Sequence, residues 1–251
     1  MKVKKLTVNA NLFKVLNYVL RKRSKALDWD GILYEETTTA YRSGQIEQKY
    51  PILFDDLLSK YKIKVSQEDV KIPVKWEFQG LYDVETRFLC AIALGIKAKK
   101  IFEIGTYLGR TTVNLAYNIG EDASIYTLDL PQQLFRVFEN TQFEVGKHIK
   151  EHKEIANKVT QLLGDSRTFD FSAYYNQIDL MFIDGDHSYN TVLNDGRKAI
   201  KCVKNGGFII WHDFSYGFLG CSKAIIETCE RNKLDLNRIE LTPLAITKVN
   251  K

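Results

Sequence analysis

The 251 residues, 45% hydrophobic and 27% charged, can fill the core of one large domain or of a domain with an appendage; they exclude a disordered chain and a polytopic membrane protein. The net charge of +5 belongs to one end. Residues 1–25 carry eight basic residues and no acid, leaving −3 on the remainder, so no nucleic-acid groove is expected over the main domain.

Taken in chain order, the first segment is basic and partly apolar. Asn9, Asn11, Lys14 and Asn17 interrupt its hydrophobic stretch and no small-residue cleavage site follows, so it is a poor signal peptide. Val8, Leu12, Val15, Leu16 and Val19 share one helical face, the pattern of an amphipathic helix that packs on its own protein or contacts a membrane surface or a protein partner. No run of about 18 apolar residues offers a transmembrane helix. Residues 1–80 are rich in aromatics (Trp29, Tyr34, Tyr41, Tyr50, Phe54, Tyr61, Trp76, Phe78), with breaks at Pro51 and Pro73, and read as a mainly helical appendage.

Residues 81–251 read as a second domain in which strand and helix alternate. A helix through Leu94 precedes a strand at Ile101–Ile104, a glycine-punctuated turn and a helix over Arg110–Asn118. The next strand, Ser124–Leu128, ends in Asp129, and Pro131 opens a long helix through the His148 region, with His148 and His152 on its exposed side. Further strands are expected at Val159–Leu163, Ile178–Ile183 and Phe208–Trp211, with helices at Tyr189–Val203 and Cys221–Arg231. Two short strands around Thr242-Pro243 close the chain as a hairpin. The sum is an α/β fold with a doubly wound, mostly parallel, seven-stranded sheet whose last strand is antiparallel.

In such sheets ligands bind beyond the carboxyl ends of the strands. Here those ends carry Glu103-Ile104-Gly105-Thr106-Tyr107-Leu108-Gly109, Asp129, Gly164-Asp165-Ser166, Asp184-Gly185-Asp186-His187 and His212-Asp213. So many carboxylates repel one another unless a cation, a proton or a polar ligand offsets them. The first turn lacks the Gly-x-Gly-x-x-Gly order, and Glu103 is unfavourable beside a pyrophosphate, which argues against a dinucleotide. Asp129 is placed to accept hydrogen bonds from the hydroxyls of a ribose. A phosphate-free nucleoside with a positive centre suits this acid-rich rim.

With these residues in view, the stretch from about Gly80 to Lys248 resembles the class I S-adenosylmethionine-dependent methyltransferases. The likeness is carried by Glu103-x-Gly105-x-x-x-Gly109, Asp129, Gly164-Asp165-Ser166, Phe182-Ile-Asp-Gly-Asp-His-Ser-Tyr189, Gly206-Gly207 and Trp211-His212-Asp213. The resemblance implies that Gly105, Thr106, Tyr107 and Gly109 approach the methionine and ribose, with Glu103 holding the loop or the amino group. It also implies that Asp129 takes the ribose hydroxyls, Asp165 and Ser166 border the adenine, and Asp184 faces the sulfonium.

Transfer to oxygen also requires loss of a proton, for which two devices are present. His187 is a candidate general base, and Asp184 with Asp213 could hold a divalent ion such as Mg²⁺. The sequence is similar to the small-molecule and sugar O-methyltransferases at these positions. It departs at His212, an imidazole where that group carries the first member of an acidic or amide pair; His212 is read as metal ligand, base or core histidine. The expected acceptor is a small hydroxylated molecule such as a sugar, glycan or natural product. The competing readings are a non-catalytic cofactor-binding partner and a nicotinamide oxidoreductase. The four cysteines, Cys90, Cys202, Cys221 and Cys229, form no Cys-x-x-Cys pair, which points to a reducing, cytoplasmic setting and away from cysteine-bound zinc.

Overall fold

The structure, a computed structural model, describes residues 50–76, 81–134, 144–215, 217–240 and 242–251. All lie in one compact unit, Glu47–Lys251. The basic amphipathic stretch, Trp29, Tyr34, Tyr41 and Phe78 fall outside the described residues, as do residues 135–143 of the expected long helix.

Eight strands form one sheet: β1 (Pro51–Ile52), β2 (Lys100–Ile104), β3 (Ser124–Asp129), β4 (Val159–Leu163), β5 (Ile178–Ile183), β6 (Val203–Trp211), β7 (Asn237–Ile239) and β8 (Ala245–Lys248). Their order is β1-β7-β8-β6-β5-β2-β3-β4, with β8 antiparallel to both neighbours and all other pairs parallel. From β2 the chain winds outward through β3 and β4, then returns to the other side of β2 for β5 and β6. The reversal makes the β2–β5 boundary the topological switch point, where a crevice opens beyond the strand ends.

β5 sits beside this boundary with all six residues, Ile-Asp-Leu-Met-Phe-Ile, buried, as a strand covered on both faces requires. Helices α2 (Asp83–Gly95) and α3 (Arg110–Tyr117) bring Leu89, Ile92, Val113 and Leu115 into the same apolar cluster as Ile101, Leu180, Phe182, Phe208 and Ile246. Phe102, Tyr126, Phe171 and Tyr174 pack their rings together in a second cluster. Helices α5 (Tyr189–Cys202) and α6 (Leu219–Arg231) follow β5 and β6 respectively.

Residues 50–76, on the appendage side of the boundary expected near residue 80, supply β1 at the sheet edge beside β7. They also supply α1 (Phe54–Tyr61), whose Phe54 and Leu57 join the main core. The expected continuous helix from Pro131 is not formed. Gln132–Leu134 is a single 3-10 turn, residues 144–146 are non-helical, and α4 (Lys147–Glu151) starts only after Gly146 at φ 74°. His148, expected on an exposed face, is buried, because its main-chain N–H bonds the Leu108 carbonyl and draws α4 against the turn after β2.

Candidate active site

The β2 exit is shaped by backbone contact. Gly105 has φ 103°, and a Cβ built on it would lie 2.0 Å from the Asp184 carbonyl oxygen at the end of β5, so only glycine lets the two strand ends pass. Two residues on, Tyr107 adopts φ 46° and donates its N–H to Asp129 Oδ2 at 2.7 Å, while the Leu130 N–H reaches Oδ1 at 2.7 Å. Burial raises the Asp129 carboxyl despite the backbone donors of Tyr107, Leu130 and Thr106.

Glu103 is completely buried. The Thr112 and Thr127 hydroxyls donate to its Oε2, Thr127 at 2.6 Å, and Thr106 Oγ1 lies 2.7 Å from Thr127 Oγ1, tying the turn to the same group. Oε1 has no partner among the described residues. Burial pushes the carboxyl up to about 8, against the two hydroxyl bonds that favour the anion. A buried acid with an unused oxygen demands a proton or a donor, and the ammonium of an amino-acid moiety fits that demand.

Asp165 and Ser166 follow β4 but are already engaged. Asp165 pairs with Arg167, which holds its carboxyl below the usual range, and Ser166 Oγ donates to Asp195 Oδ2 on α5 at 3.1 Å. The buried Asp195 carboxyl is pushed up to about 6, chiefly by burial.

The second cluster stands at the ends of β5 and β6, across the switch point from Gly105. His187 Nε2 lies 2.7 Å from Asp213 Oδ2, and His212 Nδ1 lies 3.2 Å from that same oxygen and 3.3 Å from Asp184 Oδ1. Asp213 holds φ 60°, an uncommon conformation for a non-glycine residue that goes with its carboxylate facing both rings. Burial alone would depress the His212 imidazolium, yet Asp184, Asp213 and Glu85 override it and raise the group well above its ordinary range. Burial likewise opposes ionisation of Asp213, but His187 and His212 hold the carboxylate well below the normal value. The hydrogen bond to Asp213 raises His187. With Nε2–H donated to Asp213, Nδ1 of the half-exposed His187 has no partner among the described residues, and the ring stacks on Phe218 at 4.6 Å. Asp186 accepts from the His187 N–H and the Ser188 hydroxyl and so fixes the turn into α5.

A cavity of about 10 Å³, bordered by Asp184, His187, Trp211, His212, Asp213 and Cys221, lies within this cluster. That volume suits one water or one bare ion. Donor atoms of Asp184, His212 and Asp213 all lie within 4.8 Å of one another, so the set can close around a single cation.

Four contributors carry no signal in the sequence. Glu85, on α2, places Oε2 3.4 Å from His212 Nε2 across 127 positions of chain, and Phe218 meets His187 only because α6 starts beside the turn into α5. Thr112 and Thr127, which hold Glu103, are likewise ordinary helix and strand residues until the fold pairs them.

With this geometry in place, residues 102–214 match a family described as Methyltransferase domain. Caffeoyl-CoA O-methyltransferase 2 of Petunia hybrida is 24% identical over 139 residues, 53% of this chain and 53% of the relative. Catechol O-methyltransferase of Mycobacterium tuberculosis is 27% identical over 124 residues, 49% of this chain and 52% of the relative. The chain thus spans about half the length of these curated relatives. Among solved structures, an O-methyltransferase from Bacillus cereus in complex with SAH superposes with TM-score 0.54 at 16% identity, covering 79% of this chain and 90% of that one. At that identity the likeness speaks for the fold.

Proposed function

We propose that this chain is an S-adenosylmethionine-dependent O-methyltransferase acting on a small hydroxylated acceptor. The observation that carries the reading is the pairing, across one switch point, of a nucleoside-compatible rim (Glu103, Gly105, Tyr107, Asp129) with an oriented imidazole–carboxylate pair (His187, Asp213). The matched family and the O-methyltransferase relatives support it.

S-adenosylmethionine, when bound, supplies a methyl group on a cationic sulfur. The protein's part is alignment and proton removal. Gly105 lets the backbone approach the ligand, Asp129 takes the ribose hydroxyls and Glu103 Oε1 accepts from the amino group. Asp213 fixes the His187 ring through Nε2, leaving Nδ1 to take the acceptor's hydroxyl proton as oxygen becomes the nucleophile. Asp184, His212 and Asp213 would hold a divalent ion, which would favour the deprotonated acceptor.

Turnover on a panel of sugars and phenols, with and without EDTA, tests the proposal. Methylated product that requires both S-adenosylmethionine and His187 supports it. Cofactor binding without transfer to any acceptor would return the chain to a non-catalytic binding role.

A further inference from the structure

Two ligand atoms bound to one ion at about 2.0–2.2 Å, with an angle near 90–110° between them, stand about 3.0–3.5 Å apart. His212 Nδ1 stands 3.2 Å from Asp213 Oδ2 and 3.3 Å from Asp184 Oδ1, beside a cavity of ion size. The far side of the ring is also provided for. Glu85 Oε2, 3.4 Å from Nε2, comes from a buried residue whose same oxygen accepts the Tyr82 N–H at 2.8 Å at the start of α2. A carboxylate behind a ligating imidazole fixes which nitrogen faces the metal and raises its basicity. His187 Nε2 likewise supports Asp213 from outside the set. Cys221 borders the cavity, but its thiol donates to the His212 carbonyl oxygen, so sulfur is not the spare donor. Trp211 borders the same cavity, and its indole N–H is buried and without a partner among the described residues.

We infer that Asp184, Asp213 and His212 Nδ1, with Glu85 positioning the ring through Nε2, form a site for a nitrogen-accepting first-row divalent ion such as Co²⁺ or Zn²⁺ in preference to Mg²⁺. Mg²⁺ keeps an oxygen shell of near-octahedral shape and sheds water reluctantly, whereas imidazole suits the later transition ions. Glu85 lies outside residues 102–214 and reaches the site only through the fold. The inference deepens the methyltransferase reading, but its test does not depend on turnover.

The full chain, stripped with chelator, is titrated with Co²⁺ and with Mg²⁺ in the presence of S-adenosylhomocysteine, followed by calorimetry and by the visible absorption of bound Co²⁺. One Co²⁺ per chain, bound at least tenfold more tightly than Mg²⁺, is expected. His212→Gln should change the Co²⁺ spectrum and remove the preference. Glu85→Gln, which keeps an acceptor for the Tyr82 N–H, should weaken Co²⁺ about 10–100-fold, and Cys221→Ser should leave it unchanged. The comparison of the two ions on the unmodified chain stands even if a variant fails to fold. No ion bound, Mg²⁺ bound as tightly as Co²⁺, or a Co²⁺ spectrum indifferent to His212 would overturn the inference. Cofactor binding measured in the same samples separates that failure from failure of the methyltransferase reading.

Discussion

Replacing Glu103 by glutamine should make the protein more stable in mild alkali and less able to hold its cofactor. The folded carboxyl is pushed from 4.5 to about 8 by burial, and an unfolded glutamate ionises near its ordinary value. Below pH 4.5 both states are protonated and the group contributes nothing to the pH dependence. Between pH 4.5 and 8 the unfolded chain has lost the proton that the folded chain retains, so folding stability falls as pH rises, and the loss levels off above 8. Integrated over that window the penalty is on the order of 3–5 kcal/mol. Glutamine mimics the neutral acid, since its amide oxygen can accept from Thr112 and Thr127 as Oε2 does. Urea unfolding followed by circular dichroism from pH 5 to 9 should therefore give similar stabilities near pH 5, and a variant several kcal/mol ahead near pH 8.5. Its affinity for S-adenosylhomocysteine should drop because Oε1 can no longer accept from an ammonium. Parallel pH profiles for the two proteins would refute the burial argument, and unchanged affinity for S-adenosylhomocysteine would refute the role assigned to this oxygen.

Gly105→Ala brings a methyl group to 2.0 Å from a backbone oxygen, whereas Gly206→Ala, at φ 84° with nothing within 4 Å of its Cβ, meets only backbone strain. Thermal unfolding should show Gly206→Ala costing about 1–2 kcal/mol and Gly105→Ala more, with cofactor binding lost only in the latter. Asp129→Asn keeps one acceptor of the two that serve Tyr107 and Leu130. Calorimetry should show it binding S-adenosylhomocysteine about tenfold to a hundredfold more weakly. His187→Ala should lower kcat by about 10²–10⁴-fold while leaving that binding intact; a matching loss of binding would remove His187 from the proton-transfer role.

The doubly wound sheet was legible because its central strands are short, largely apolar runs, most of them ending at a glycine or an acid such as Gly105, Asp129, Gly164 and Asp184. Ile178–Ile183 is both the clearest such run and a fully buried strand. Pro51–Ile52 carries no comparable pattern. Two residues become a strand only because Tyr50 and Ile52 carbonyls accept from Arg238 and Glu240 at the far end of the chain. The helix expected after Pro131 is interrupted at residues 144–146 by a contact with a residue distant in the sequence. Periodicity cannot foresee that the Gly146 N–H would bond the Tyr107 carbonyl and restart the helix there. In the site, the rim acids were visible because they follow strands directly. Their partners were not, since Glu85 and Phe218 act through contacts that only the packing of α2 and α6 creates. Asp165 shows the reverse limit: a motif position whose carboxylate is taken up by Arg167 two residues away.

Titration calorimetry of the full chain with S-adenosylmethionine, S-adenosylhomocysteine and NAD tests the central claim most directly, that the acids at the β2–β5 boundary recognise a phosphate-free nucleoside with a cationic end. Saturable binding of both sulfur nucleosides at one site per chain, with no heat from NAD, is the predicted result. Tight binding of NAD with none of either sulfur nucleoside would contradict it.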